Sequence, residues 1–170
     1  MTQRVLGITG WKNSGKTTLT ERLVAELTQR GLKVSTIKHA HHSFDIDKEG
    51  TDSYRHRRAG AGEVAIVSGN RWALMHELRG EDEPRLEAIL ARLAPCDLVL
   101  IEGYKREAHP KIETRRLDAK DSAPLTAGDN NIVAVAADHA VVGETVPVFD
   151  LDDICGIADF VVAGLKSGAR

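Results

Sequence analysis

The sequence is short of aromatic side chains, of cysteine and of any excess of one charge, and each shortage removes a class of function. Three Phe, two Trp and two Tyr in 170 residues supply a poor stacking platform for single-stranded nucleic acid. Lys and Arg number 23 against 25 Asp and Glu, a net charge of −2 that gives no field for wrapping a polyanion. Nucleic acid is therefore not an expected partner. Cys96 and Cys155 lie far apart, match no zinc spacing and exclude a disulfide scaffold, so a reducing, cytoplasmic setting suits them. No apolar run reaches membrane-spanning length, and the start of the chain carries no signal-peptide pattern. What is present is enough for a core: 42% hydrophobic residues in a length that fits one domain over 1–170.

The pattern along the chain is that of an α/β protein. Residues 5–9 form a short apolar, β-branched run stopped by Gly10. Residues 16–30 turn helical, with Leu19, Leu23 and Leu27 four apart and Gly31 as the stop. A second strand follows at 34–37, so the opening unit is a βαβ with parallel strands. Residues 38–60 are irregular, with a short helix capped by Thr51 or Asp52. Two strands at 63–68 and 71–77 meet at Gly69-Asn70, a hairpin signal. A helix opens at Pro84 with Leu86, Ile89, Leu90 and Leu93 on one face. The continuous apolar run 97–101 reads as a strand covered on both faces. Further strands are expected at 111–117, 132–136 and 146–149, and Asp150 is the expected cap of a last helix. The expected architecture is a mostly parallel sheet flanked by helices, with an additional β-hairpin.

The chemistry concentrates in Gly10-Trp-Lys-Asn-Ser-Gly15-Lys16-Thr17, which fits G-x-x-x-x-G-K-[ST] at every fixed position. Gly10 and Gly15 let backbone N–H groups converge on a phosphate, and Asn13, Ser14 and Thr18 share that surface. The helix opening at Lys16 adds its positive end, Lys16 a mobile ammonium, and Thr17 a hydroxyl for Mg²⁺. The acid that completes such a site belongs at the carboxyl end of a buried strand. Glu102 stands there, with Gly103 offering an unhindered N–H. The alternative for Glu102 is a strand-end carboxylate paired to a nearby base.

Weaker signals surround this centre. Asp45 and Asp47 are candidate ligands for the nucleotide metal, or else belong to a hydrated loop. Arg55, Arg57 and Arg58 with His56 put several cations on a short helix; Arg55 and Arg58 share a face and could clamp a second phosphate, or the helix surface is solvated and paired with Asp45, Asp47 or Asp52. His39, His41 and His42 invite a metal, although no cysteine accompanies them. N-K-x-D is absent, and Asp138 at a strand end is the candidate for guanine recognition, with a turn aspartate as the alternative. These residues alone leave GTP and ATP both open.

The loop, the block Lys38-His-x-His-His-x-Phe-Asp-Ile-Asp with Gly50-x-Asp52-Ser-x-Arg55-His-Arg-x-Ala-Gly-Ala61, and Leu-Ile-Glu102-Gly-Tyr-Lys105 with Pro110-Lys-Ile-Glu together resemble the MobB family of molybdopterin-guanine dinucleotide biosynthesis adaptor proteins. The resemblance implies a GTP- and Mg²⁺-binding P-loop domain, usually homodimeric, with weak GTPase activity. It implies a partner in the molybdenum cofactor guanylyltransferase. Arg55 and Arg58 become candidate contacts to molybdopterin or to that enzyme. The wider signal-recognition-particle/MinD class often carries a lysine just after the first loop glycine; this chain has Trp11 there, with Lys12 one residue along. A small-molecule kinase and a metallochaperone GTPase are the alternatives from other classes.

Overall fold

A computed structural model describes residues 3–40 and 44–167. Backbone contacts group the chain into two compact units, one of residues 1–39 with 93–170, the other of residues 40–92. His41 and His42 lie outside the described residues.

The first unit is built on six parallel strands: β1 (Val5–Thr9), β2 (Val34–Lys38), β5 (Leu98–Glu102), β6 (Lys111–Arg115), β7 (Ile132–Ala137) and β8 (Val148–Asp150). Their order across the sheet is β2-β5-β1-β6-β7-β8. Helices α1 (Lys16–Gln29) and α4 (Ile154–Ser167) belong to this unit. Leu19, Leu23 and Leu27 of α1 and Ile157, Ala158 and Val161 of α4 pack with Leu6, Ile8, Leu98, Leu100, Ile112, Ala134 and Ala136, which alternate along their strands and so share one face. Helix α1 ends where predicted: Gly31 is left-handed, its N–H donates to the Thr28 carbonyl, and the Leu32 N–H reaches the Leu27 carbonyl. Helix α4 starts later than Asp150. Asp153 takes the capping role, accepting from the Gly156 N–H at 2.9 Å, while Asp150 accepts from the Asp152 N–H in the turn before.

The other face of β6 is polar and buried. Lys111, Glu113 and Arg115 alternate on it, and Lys111 and Glu113 have no exposed side-chain surface. Each charge is met. Lys111 Nζ donates to Asp129 at 2.8 Å and to the Glu107 carbonyl at 2.5 Å. Arg115 bridges Glu113 and Glu144, each at 2.7 Å. Glu113 also accepts from the Leu125 N–H, so the long 116–131 connection is tied to the strand by charge-assisted bonds.

His109 is buried against Gly7, whose position would place a Cβ 2.6 Å from Nε2. Burial, with the Lys111 ammonium adding to it, lowers its pKa to about 4. The folded state thus takes up a proton less readily than the unfolded chain, whose histidine titrates near 6.5. Stability falls as pH drops from about 6.5 towards 4, by roughly 3 kcal/mol at the lower end. Chemical denaturation across that range should show this slope, and His109→Phe should flatten it.

The second unit holds α2 (Asp52–Arg58), the antiparallel pair β3 (Glu63–Val67) and β4 (Trp72–His76), and α3 (Leu86–Leu90). The hairpin register pairs Val67 with Trp72, and the Ser68 N–H closes the turn on the Arg71 carbonyl. Helix α3 is shorter than its apolar spacing predicts and stops before Leu93, two residues ahead of Pro95. Inside this unit Arg57 donates to Asp45 and Asp47 at 2.8 Å each and to Glu77 at 2.9 Å.

Candidate nucleotide site

Strand β1 runs straight into the glycine loop, and the chain's local choices shape that loop. Gly10, Asn13 and Gly15 all have positive φ, at 143°, 67° and 94°. Gly10 has no room for a side chain, since a Cβ would stand 2.6 Å from the Thr114 carbonyl oxygen. Ser14 is fully buried, and its hydroxyl shares a 2.7 Å hydrogen bond with Thr114, pinning the loop to β6. Its hydroxyl is therefore a structural anchor, and its backbone N–H closes the loop on the Trp11 carbonyl at 3.2 Å. Helix α1 begins on Gly15 without a side-chain cap, so its first amides and its dipole end face the loop. Thr18 is exposed on that first turn.

Lys16 bends back over the loop. Its Nζ donates to the carbonyls of Gly10 at 3.0 Å and Trp11 at 2.5 Å. Burial first, then the ammonium of Lys105, lowers its pKa; Glu102 opposes this and Lys38 adds to it. Thr17 Oγ1 donates to Glu102 Oε1 at 2.8 Å, and Lys38 Nζ lies 3.2 Å from the same oxygen. The motif and the strand-end acid, 85 residues apart in sequence, are thus brought into contact because β5 lies beside β1. Gly103 follows at φ 103°, where a Cβ would meet His39 Cβ at 2.8 Å.

A hydroxyl and a carboxylate this close form a hard oxygen pair that fits Mg²⁺, whose octahedral ligands stand about 2.9 Å apart at bond lengths of about 2.0–2.1 Å. Thr17 and Glu102 are the residues that would hold it.

On the opposite side of the loop, a narrow cleft is lined by Trp11, Ser14, Arg116, Asp121, Ala123 and His139. Trp11 Nε1 donates to the Ala123 carbonyl at 2.7 Å and so ties the loop to the cleft wall. Asp138, at the end of β7, accepts from the Leu117 N–H at 3.1 Å and pairs with His139 Nδ1 at 2.8 Å. Both bonds use Oδ1, and the His139 partner holds the carboxyl below the usual range.

The remaining predicted residues sit in the second unit. Asp45 and Asp47 are the partners of Arg57, and Asp47 is nearly buried by that contact and a bond from Ser53. Arg55 and Arg58, on the same helix, are exposed. The alternative pairing for those acids is real, but the arginine is Arg57. Among the described residues no three His, Cys, Asp or Glu side chains gather as a metal site, and no helix is long and apolar enough to cross a membrane. The sequence reading quoted Lys38 and Lys105 within the family-like blocks but gave them no role at the loop; Lys38 ends β2, and Lys105 stands three residues past the end of β5 at Glu102.

Comparison with known proteins places this arrangement. Residues 5–138 match the family model for molybdopterin guanine dinucleotide synthesis protein B, MobB. The molybdopterin-guanine dinucleotide biosynthesis adapter protein of Escherichia coli is 39% identical over 164 residues, 95% of this chain and 93% of that protein. The Haemophilus influenzae protein of the same name is 40% identical over 157 residues, 92% and 86% of the two chains. Among solved structures, a MobB homolog from Bacillus stearothermophilus superposes with a TM-score of 0.73 at 32% identity, over 96% of this chain and 98% of that one. Bacillus subtilis MobB gives 0.74 at 30% identity, over 94% and 96%. With the parallel sheet, the glycine loop and the Thr17–Glu102 contact in place, the chain belongs to the MobB family.

Proposed function

We propose that this chain is a GTP-binding accessory protein of molybdenum cofactor maturation, assisting the step that joins GMP to molybdopterin. The observation that carries the nucleotide reading is the positive-φ loop opening onto the uncapped start of α1, with Lys16 folded over it. Family membership supports the pathway.

In this reading the amides of Asn13 and of residues 15–18 and the ammonium of Lys16 hold the phosphates, and Gly103 adds an N–H at the far end. Bound Mg²⁺ would supply charge neutralisation between the outer phosphates, held by Thr17 and Glu102. Asp138 would accept from the guanine N1 and N2 donors through Oδ2, with Leu117 and His139 fixing the carboxylate through Oδ1. Glu102 is tied to Thr17 and would be taken up by the bound Mg²⁺, which leaves it poorly placed as a base for an attacking water, so hydrolysis by the isolated chain is slow. Residues 1–170 act as one cytoplasmic, homodimeric GTP-binding domain in which 40–92 is an insertion.

Since Arg57 is committed to Asp45, Asp47 and Glu77, the exposed Arg55 and Arg58 are the cations of α2 left for molybdopterin phosphate or a partner protein. The partner is the molybdenum cofactor guanylyltransferase. Size-exclusion chromatography of the two proteins with GTP should show co-elution that an Arg55→Ala, Arg58→Ala double variant weakens. Separate elution of the wild-type pair would count against the accessory role. Unchanged co-elution of the double variant would remove the two arginines from it.

A further inference from the structure

The sheet order divides the surroundings of the glycine loop. The cleft of Arg116, Asp121 and His139 comes from the ends of β6 and β7, on one side of β1, whereas Lys38, Glu102 and Lys105 come from the ends of β2 and β5, on the other. A nucleotide whose base lies toward Asp138 therefore runs its phosphate chain across Lys16 toward that second side. Two lysines outside the motif stand there. Lys38 Nζ lies 3.2 Å from Glu102 Oε1, the atom that also accepts from Thr17. Lys105 Nζ stands 4.6 Å from the centroid of the Trp11 ring, and the Trp11 carbonyl is one of the two acceptors of Lys16.

Three ammonium groups gathered around one loop repel one another, and the carboxylate of Glu102 meets only that of Lys38, at 3.2 Å, among the described residues. The fold gains little in return. The Lys38 side chain is 61% exposed, and Lys105 is exposed as well. Such a cluster is favourable when a polyanion enters it. It is a poor arrangement for a ligand that ends short of it.

We infer that Lys38 and Lys105 complete, with Lys16, a three-ammonium cradle for the terminal phosphate of a nucleoside triphosphate. In this arrangement Lys38 exchanges Glu102 for the phosphate, while Glu102 keeps its bond from Thr17. The cradle makes the chain a reader of phosphate number. This rests on the nucleotide-binding reading above, and it adds which residues separate a triphosphate from a diphosphate.

Titration calorimetry of wild type, Lys38→Met and Lys105→Met with GTP and with GDP, in Mg²⁺, tests it. Each variant should lose about tenfold in GTP affinity, the worth of one charge-assisted contact, while GDP affinity moves by less than about twofold. Lys38→Arg and Lys105→Arg should recover most of the loss. Retained GDP binding serves as the control for folding. A GTP-to-GDP affinity ratio that stays at the wild-type value in both Met variants overturns the inference and leaves nucleotide binding standing. A wild-type chain that binds neither nucleotide overturns the nucleotide reading, and the cradle with it.

Discussion

Replacing Lys16 by alanine is expected to lower GTP affinity by about two orders of magnitude, with the fold intact. The side chain lies half-buried over the loop, where its ammonium bonds, among the described residues, to the carbonyls of Gly10 and Trp11. Those carbonyls can turn to water, so its loss leaves no buried group stranded. In a complex the same ammonium would meet phosphate oxygens in a partly desolvated pocket. Removing one partner of such a contact costs about 2–5 kcal/mol, which sets the hundredfold scale. Calorimetry gives the affinity, and thermal unfolding of the variant should stay within a few degrees of wild type. A variant that binds GTP like the parent would mean that the loop is not the site.

The largest effect on stability is expected at Asp129. Its carboxylate meets Lys111, whose side chain is entirely buried, and it also accepts from the N–H and side-chain amide of Asn131. Asp129→Ala would leave a buried ammonium with one carbonyl, that of Glu107, as its partner. Breaking a buried pair in this way costs about 3–5 kcal/mol, a large share of the 5–15 kcal/mol that typically separates folded from unfolded. A double variant Lys111→Met, Asp129→Asn removes the charge from both sides and should recover most of the loss. Urea unfolding of the three proteins checks this. The pair is also sensitive to acid: its hydrogen bonds, chiefly that from Lys111, hold the Asp129 carboxyl below the usual range despite burial. Its contribution is therefore present above the ordinary carboxylate pKa and is lost as pH falls through the depressed one.

Much of the sheet was legible because its strands are short apolar runs bounded by glycine or charge. The runs read at 97–101 and 132–136, found as strands at 98–102 and 132–137, were plain for this reason. The glycine loop was legible because each fixed residue has one physical task. Strand β6 was harder. Lys-Ile-Glu-Thr-Arg alternates as a half-exposed strand would, yet its charged face is buried under the 116–131 connection. Nothing in a local pattern tells a solvated charge from one met by Asp129 or Glu144 at a distance in sequence. Pairing of the cationic helix with Asp45 and Asp47 was legible, but not which arginine takes it: helix spacing groups Arg55 with Arg58, whereas the loop acids close on Arg57. Lys38 and Lys105, quoted in the sequence blocks without a role, gained their place at the loop when strand order set the ends of β2 and β5 on one side of it.

The most direct test of the account is equilibrium titration of the purified wild-type chain with GTP and with ATP, each with and without Mg²⁺. One GTP per chain is expected, strengthened by Mg²⁺ and at least about tenfold tighter than ATP, the discrimination expected of a carboxylate reading two guanine donors. ATP binding as tightly as GTP, or neither nucleotide binding, would contradict it.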